Sequence, residues 1–254
     1  ELSGDIEFHP ASGLATLLEN ASHLRIGTKI EHPLQFDSPL PNPSQIFAVG
    51  LNYRRHAHEM KLQLPTRPMI FTKFPSAVGA PNSQIEISGP TTDWEAELVV
   101  VIGRTGRNIS VVEAASHIAG YMVGQDISER TVQMANNPAQ FSLGKSYKNF
   151  APMGPYVTTA DEIPNPQDLT IKCSLNGEMM QNESTADMAF SVFEIVSYIS
   201  QVCEIRRGDV IFTGSPAGVG QGLTPPRFLR AGDVLVTRIE GIGEIRNTFV
   251  GGQE

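Results

Sequence analysis

Cysteine is scarce in this sequence, with two residues among 254, Cys173 and Cys203. Two cysteines can form one disulfide, but they cannot build the framework of a disulfide-stabilised small domain or a thiolate zinc cluster. Both residues lie in apolar stretches of regular pattern. We therefore expect two buried free thiols.

Positive charge and long apolar runs are also missing. Nineteen Lys and Arg stand against 27 Asp and Glu, which gives a formal net charge of −8. Binding to nucleic acid or to an anionic membrane needs an excess of Lys and Arg, so this balance argues against both partners. No apolar run approaches the roughly 18–20 residues of a membrane span, and no signal segment opens the chain. The expected location is the cytoplasm.

Glycine and proline, by contrast, are plentiful, at 23 and 18 residues. Both residues destabilise helix interiors, so a helical bundle is disfavoured and a strand-rich α+β fold is favoured. Four prolines between 33 and 43 separate a small N-terminal segment, 1–45, from a main domain, 46–254.

The apolar pattern places the elements of this fold. Short apolar runs and alternation predict strands at 46–50, 97–102, 120–124, 169–175, 209–213 and 234–239. The pair Asn176-Gly177 follows one of these strands and predicts a hairpin. Helical spacing and capping residues predict helices at 12–20, 111–119 and 188–202.

A first polar cluster lies in the sequence GLNYRRHAHEM. His56 and Glu59 are three residues apart, which places them on one face of a helical turn. A carboxylate beside an imidazole orients the ring and raises its basicity, as a general base for water requires. The alternative is a solvated polar start of a helix.

A second cluster lies in DWEAELVVVIG. Glu95 and Glu97 share one face of a strand because facing repeats every two residues. Two neighbouring carboxylates repel each other, and a divalent cation with oxygen ligands relieves that repulsion. The alternative is an exposed strand face that Lys or Arg screens.

A third cluster lies in GYMVGQDISERTVQ. Asp126 ends a strand-like run, and Arg130 and Gln133 follow on one helical face, where they could hold a carboxylate. Taken one by one, these are also ordinary surface residues. Lys145 lies further along, and the glycines of the 213–222 loop favour a close backbone approach to a small ligand.

Six motifs in this order resemble the fumarylacetoacetate hydrolase superfamily, in the branch of acylpyruvases and diketo-acid hydrolases. They cover roughly four fifths of the chain and read GLNYRRHAHE, WEAELVVVIG, GYMVGQDISERTVQ, GKSYKNFAPMGP, GDVIFTGSPAGVG and FLRAGDVLVTRIEGIGEIRN. The resemblance implies a mixed β-sandwich roll, one Mg²⁺ or Mn²⁺ per subunit, a homodimer and a small anionic keto-acid substrate.

The resemblance also implies roles for ten residues. The metal carboxylates are Glu95, Glu97 and Asp126. The water-activating pair is His56 and Glu59, and Lys145 balances oxyanion charge. The substrate contacts are Tyr53, Arg130, Gln133 and Thr213. Three carboxylates exceed the charge of one divalent ion, so we expect a cationic neighbour such as Lys145 or Arg130.

The implied reaction is hydrolysis of a carbon–carbon bond in a 2,4-diketo acid through an enolate. The acyl part could be that of an acylpyruvate, a fumarylpyruvate or a diketo-deoxy sugar acid. Oxaloacetate-type decarboxylation and isomerisation of 2-hydroxyhepta-2,4-diene-1,7-dioate are alternatives at the same metal site, and a non-catalytic metal-binding protein is a remote one.

Departures from the common motifs bear on the substrate. Thr131 follows Arg130 where many members have Asp, Lys148 replaces another Asp, and Ser215 replaces a Thr. We expect specificity to lie in three segments, 60–66, 136–142 and 221–227.

Overall fold

Strands dominate the computed structural model, which describes residues 36–251. The strands are β1 (Ile46–Gly50), β2 (Met69–Thr72), β3 (Val78–Gly79), β4 (Gln84–Glu86), β5 (Thr92–Asp93), β6 (Ala96–Ile102), β7 (Ile118–Gln125), β8 (Ser128–Glu129), β9 (Ala151–Thr159), β10 (Thr170–Leu175), β11 (Glu178–Ser184), β12 (Val210–Phe212), β13 (Val234–Ile239) and β14 (Gly243–Val250). The helices are α1 (Arg54–Glu59), α2 (Arg130–Gln133) and α3 (Val192–Val202). The helix predicted at 12–20 lies outside the described residues, and the boundary at residue 45 stays a prediction.

The first sheet is built around β6. Its seven strands run in the order β2-β1-β12-β6-β7-β9-β3, so β6 has neighbours on both sides. All seven residues of β6 are buried. A strand covered on both faces reads as a continuous apolar run, which is why ELVVVI was recognisable as a strand.

A second sheet packs against the first. It has five strands in the order β11-β10-β13-β14-β4, and one hydrophobic core joins the two sheets through residues such as Val99, Ile171 and Ile245. Most neighbouring strands are antiparallel, while β1 with β12, β3 with β9 and β4 with β14 are parallel. The predicted α+β class and mixed β-sandwich roll are confirmed.

The predicted hairpin joins β10 to β11. Asn176 and Gly177 have φ angles of 54° and 86°, the left-handed values that a tight two-residue turn between antiparallel strands requires. Cys173 on β10 is a buried free thiol as expected, and Cys203 is free but only partly buried.

Two predicted helices turn out differently. The helix predicted at 188–202 begins at Val192, where Ser191 and Glu194 form a capping box. The helix predicted at 111–119 is wrong, although Ser110 and Glu113 bond as the sequence suggested. Only a four-residue 3-10 turn forms there, and the chain enters β7 at Ile118 opposite Ile102. Sheet pairing of an apolar β-branched residue overrides the local helix signal. Among residues 36–251, no helix has the length and apolar character needed to cross a membrane.

Replacing Ser191 by Ala should destabilise the protein by about 1 kcal/mol, because the first turn of α3 loses its capping oxygen. Gln201→Ala, on the exposed face of the same helix, should stay within about 0.5 kcal/mol of the parent. Urea unfolding followed by circular dichroism measures both changes. Equal effects of the two substitutions would show that the capping box contributes nothing.

Candidate functional site

The register of β6 and β7 brings three carboxylates together. Ala96 pairs with Gln125, so the residues just beyond them, Glu95 and Asp126, face each other. The amide of Asp126 donates to the carbonyl of Glu95 at 2.9 Å. Glu97 lies two residues further on the same face, and carboxylate oxygens of all three residues lie within 4.8 Å of one another. We call this group the acidic triad.

Two buried glutamines fix the backbone that carries the triad. Gln125 Oε1 accepts the amide of Glu95 at 2.8 Å, and Gln181 Oε1 accepts the amide of Ala96 at 3.0 Å. The Nε2 group of Gln125 donates to Thr237 Oγ1 at 2.8 Å, across to the second sheet. Both packed sheets therefore hold the entry of β6 in place.

Two buried lysines balance part of the triad's charge. Lys145 Nζ donates to Glu95 Oε2 at 2.8 Å, to Asp126 Oδ2 at 2.6 Å and to Ser128 Oγ at 2.8 Å. Lys73, just after β2, is also fully buried and pairs with Asp126 Oδ1. The expected cationic neighbour is present in Lys145, whereas Lys73 was missed. The one sequence feature that could have indicated Lys73 is its position as the lone charged residue of the mostly apolar stretch 69–74.

The three carboxyl groups are not equivalent. Burial alone would raise the pKa of Glu95, but Lys145 and Arg130 outweigh burial and hold that pKa below its usual range. Glu97 accepts the amide of Gly214 at 2.7 Å, and it has no ion pair within residues 36–251. Burial, followed by the charges of Asp126 and Glu95, therefore raises the pKa of Glu97 well above its usual range. Without an ion, the raised pKa favours the protonated, neutral form of Glu97.

The triad fits a hard divalent ion. Its donors are all carboxylate oxygens, the type that Mg²⁺ and Mn²⁺ prefer.

The Tyr53 hydroxyl is buried and has no hydrogen-bond partner in the described part of the chain. Burial and the nearby charge of Glu97 raise the pKa of Tyr53, so this hydroxyl remains a protonated donor.

The His–Glu pair forms as the spacing predicts. Both residues lie on α1, and His56 Nδ1 lies 3.0 Å from Glu59 Oε2. His56 is buried and lines the same cavity as Glu95. Since Nδ1 is hydrogen-bonded to Glu59, Nε2 is the ring nitrogen that can accept a proton from a bound molecule.

Arg130 is held by an aspartate that the sequence analysis did not select. Its Nε and Nη2 atoms donate to Asp93 Oδ2 at 2.9 and 2.7 Å. Its Nη1 atom donates to Gln133 Oε1 at 2.9 Å and pairs with Glu95 Oε1 at 2.6 Å. Asp93 and Glu95 raise the pKa of Arg130 despite its burial. Asp93 could have been found, because it precedes Glu95 by two residues in the same alternation.

The glycine loop, residues 213–222, approaches protein carboxylates. Four of its amides donate to acidic side chains. Gly214 N donates to Glu97 Oε2 at 2.7 Å, Gly218 N to Glu59 Oε1 at 2.9 Å, and Gly220 N and Gln221 N to the two carboxylate oxygens of Asp93 at 2.7 and 3.0 Å. Gly218 has φ 99°, and a Cβ atom there would lie 2.0 Å from the carbonyl oxygen of Met180. The expected close approach is present, but these amides serve the side chains of the site.

A cavity of about 280 Å³ opens beside the triad. The predicted site residues in its wall are His56, Glu95, Arg130, Gln133 and Lys145. All three segments expected to set specificity reach it, and they contribute Met60, Leu62, Gln63, Phe141 and Gln221.

Two predicted substrate contacts are not part of this wall. Tyr53 is fully buried, and the Thr213 hydroxyl donates to the carbonyl of Leu98 at 2.8 Å. Ser215, two residues beyond Thr213, lines the cavity instead.

The comparison with known proteins agrees with this arrangement. The family model described as "Fumarylacetoacetate (FAA) hydrolase C-terminal" matches residues 45–250. The chain belongs to the fumarylacetoacetate hydrolase family. The resemblance indicated by the six motifs is therefore confirmed, and this family member is an enzyme of a superfamily that acts on small keto acids.

Three relatives illustrate the similarity of this fumarylacetoacetate hydrolase family member to known proteins. A Xenopus laevis protein named oxaloacetate tautomerase fahd2, mitochondrial, is 40% identical over 84% of this chain and 67% of its own length. A putative HpcE protein from Mycobacterium smegmatis is 44% identical, with a TM-score of 0.85 over 92% of this chain and 84% of that one. A 2-hydroxyhepta-2,4-diene-1,7-dioate isomerase from Mycobacterium marinum is 33% identical, with a TM-score of 0.75 over 86% and 78%.

Metal affinity should rise with pH, because an ion at the triad competes with the proton of Glu97. The raised pKa means that the metal-free protein keeps this proton above pH 4.5 and loses stability as pH rises through the folded-state pKa. Below that pKa, about one proton should leave per ion, and affinity should change about tenfold per pH unit. Calorimetry with Mg²⁺ or Mn²⁺ in buffers of different ionisation enthalpy measures this release.

The matched variants for this experiment are Glu97→Gln and Glu244→Gln. Glu97→Gln should weaken binding and abolish the proton release, whereas exposed Glu244→Gln should change neither. Proton release that persists in Glu97→Gln would assign the raised pKa to another group.

Asp93→Asn should lower the free energy of unfolding by up to about 3–5 kcal/mol, because it removes one of the two carboxylates that pair with the buried Arg130. Glu183→Gln removes the charge that pairs with Arg55, whose side chain is 68% exposed, and should cost less than about 1 kcal/mol. Guanidinium unfolding of both variants tests the contrast. Similar losses would mean that Asp93 does not hold Arg130 as the structure indicates.

Proposed function

We propose that this enzyme transfers a proton at C3 of a 2-keto acid, interconverting keto and enol forms as a tautomerase or isomerase. The observation that carries the proposal is a difference in bonding between His56 and the cationic side chains of the cavity wall. His56 is oriented by Glu59 and has Nε2 available, whereas the cations beside it are committed to carboxylates. The names of the Xenopus laevis and Mycobacterium marinum proteins support the same chemistry.

The residues assigned to the metal are Glu95, Glu97 and Asp126. A divalent ion held there supplies Lewis acidity that stabilises negative charge on the 2-keto oxygen. The proposed cofactor is one Mg²⁺ or Mn²⁺ per subunit, and the proposed assembly is a homodimer.

His56 performs the proton transfer in this proposal. In the keto-to-enol direction the C3–H bond breaks, Nε2 accepts the proton, the C2–C3 double bond forms, and the 2-oxygen gains a proton from solvent. Nε2 then releases its proton to solvent, which restores the neutral ring. In the reverse direction Nε2 takes a proton from solvent and gives it to C3, while the 2-hydroxyl releases its proton to solvent. Glu59 keeps the ring oriented and stabilises the imidazolium that forms in between.

The bonding of Lys145 supports proton transfer over hydrolysis. An ammonium group has three N–H donors, and all three are used by Glu95, Asp126 and Ser128. The oxyanion of a tetrahedral intermediate would therefore find no free donor on Lys145. This arrangement supports a reaction without such an intermediate.

Hydrolytic cleavage of a 2,4-diketo acid is the second candidate. The His56–Glu59 pair favours it, since the same Nε2 can take a proton from water that attacks a C4 carbonyl. The discriminating assay compares C3 deuterium exchange in oxaloacetate and other 2-keto acids with pyruvate release from acylpyruvates. Pyruvate release faster than C3 exchange would make hydrolysis the main reaction.

His56→Ala should lower turnover by about 10²–10⁴-fold, the usual contribution of a positioned acid–base group. Metal binding should persist within about threefold, because His56 is not one of the triad carboxylates. His58→Ala is the control, since His58 lies exposed on the same helix. Near-normal turnover of His56→Ala would remove the pair from the mechanism.

A further inference from the structure

The wall of the cavity beside the triad divides by chemistry into a charged part, here called the polar end, and a hydrophobic part, here called the apolar end. The polar end holds the triad's Glu95 with His56, Arg130 and Lys145. The two parts meet where Lys145 Nζ lies 5.2 Å from the centroid of the Phe71 ring. The remaining wall is mostly hydrophobic, with Leu51, Met60, Leu62, Met69, Phe71 and Phe141, and it also carries the neutral polar side chains of Gln63, Gln133, Ser215 and Gln221. An occupant whose head lies at the triad therefore extends its other end over aliphatic and aromatic side chains.

No unpaired cation is available at the apolar end. Within the described part of the chain, the lysine and arginine side chains in the cavity wall are Arg130 and Lys145. Arg130 is bonded to Asp93, Glu95 and Gln133, and Lys145 uses its three donors as described above. A second carboxylate on the occupant would be desolvated against apolar groups without a charged partner, which costs free energy.

The apolar end depends on the absence of a side chain at Gly50. A Cβ atom built there would lie 2.3 Å from Met69 Cε and 3.6 Å from Phe141 Cε2. Phe141 packs edge-to-face on Phe71, with ring centroids 5.5 Å apart. Gly50 thus leaves room for Met69 beside this aromatic pair.

We infer that the substrate is a monocarboxylic 2-keto acid with an apolar tail, selected over short dicarboxylic acids such as oxaloacetate. The inference rests on the proposed function for the position of the keto-acid head, and it adds the chemical class of the tail. Burial of a CH₂ group contributes about 0.8 kcal/mol, so each added methylene should tighten binding about three- to fourfold until the cavity is filled.

The first experiment measures binding without turnover. N-alkyl oxamates carry a keto-acid-like head and an alkyl tail, and calorimetry on the Mg²⁺-loaded protein gives their affinities. We expect affinity to rise with tail length from methyl to butyl. An analogue that ends in a carboxylate at matched length should bind at least tenfold more weakly. Affinity independent of tail length, tighter binding of the carboxylate-ended analogue, or no binding of any oxamate would overturn the inference.

Two substitutions in the apolar end sharpen the test. Gly50→Ala should weaken binding of the butyl oxamate about tenfold and leave the methyl oxamate unchanged, because the added methyl group displaces Met69. Met69 is 37% exposed, so Met69→Lys should be accommodated and should reverse the preference toward the carboxylate-ended analogue. Val112→Lys, at a position 92% exposed and outside the cavity, is the charge control and should have no effect. A preference unchanged in both cavity variants would also contradict the inference.

The experiments distinguish a failure of the inferred preference for an apolar tail from a failure of the proposed tautomerase function. The oxamate series reports on the tail whether or not the protein turns over a keto acid, and the same series can be run on His56→Ala. A parallel C3 deuterium-exchange assay with 2-ketobutyrate, 2-ketohexanoate and oxaloacetate reports on the reaction. Tail-dependent binding without C3 exchange would retain the substrate class and remove the tautomerase proposal.

Discussion

Repulsion among three buried carboxylates is the constraint on which the site depends. Glu95, Glu97 and Asp126 lie within 4.8 Å of one another in a place from which water is largely excluded. Such a cluster is unstable unless positive charge surrounds it. Lys73 and Lys145 supply part of that charge, and the position left for a divalent ion is the one beside Glu97.

Balancing this charge determines what the rest of the cavity can do. Once Arg130 and Lys145 are bonded to carboxylates, neither is free to hold a distant anionic group. In the proposed reaction the proton is handled by His56, whose partner Glu59 belongs to the same short helix. The wall beyond the charged end is therefore free to be hydrophobic. One electrostatic requirement thus accounts for both the reactive end of the cavity and the neutrality of its far end.

How well each structural feature could be predicted from the sequence depends on how far apart along the chain its interacting residues lie. Glu95 and Glu97 were recognisable because the alternation of a strand is local, and His56 and Glu59 because the spacing of a helical turn is local. The family resemblance added a metal role for Asp126. Lys73 lies 53 residues from Asp126, so its pairing depends on how β2 and β7 are arranged in the finished sheet, which no local pattern encodes. The 3-10 turn in place of the helix at 111–119 has the same origin, since β7 competes for those residues. Thr213 was in the right loop but on the wrong part of it.

The glycine loop links three functions through one stretch of backbone. Its amides at 214, 218 and 220 donate to the triad carboxylate Glu97, to Glu59, which bonds His56, and to Asp93, which bonds Arg130. The spacing of four and two residues along the loop therefore sets the relative positions of carboxylates that lie on separate elements. Inserting one residue between 214 and 220 would misalign at least one carboxylate, whatever its identity. The length of this loop therefore constrains the site as strictly as the identity of the carboxylates that it contacts.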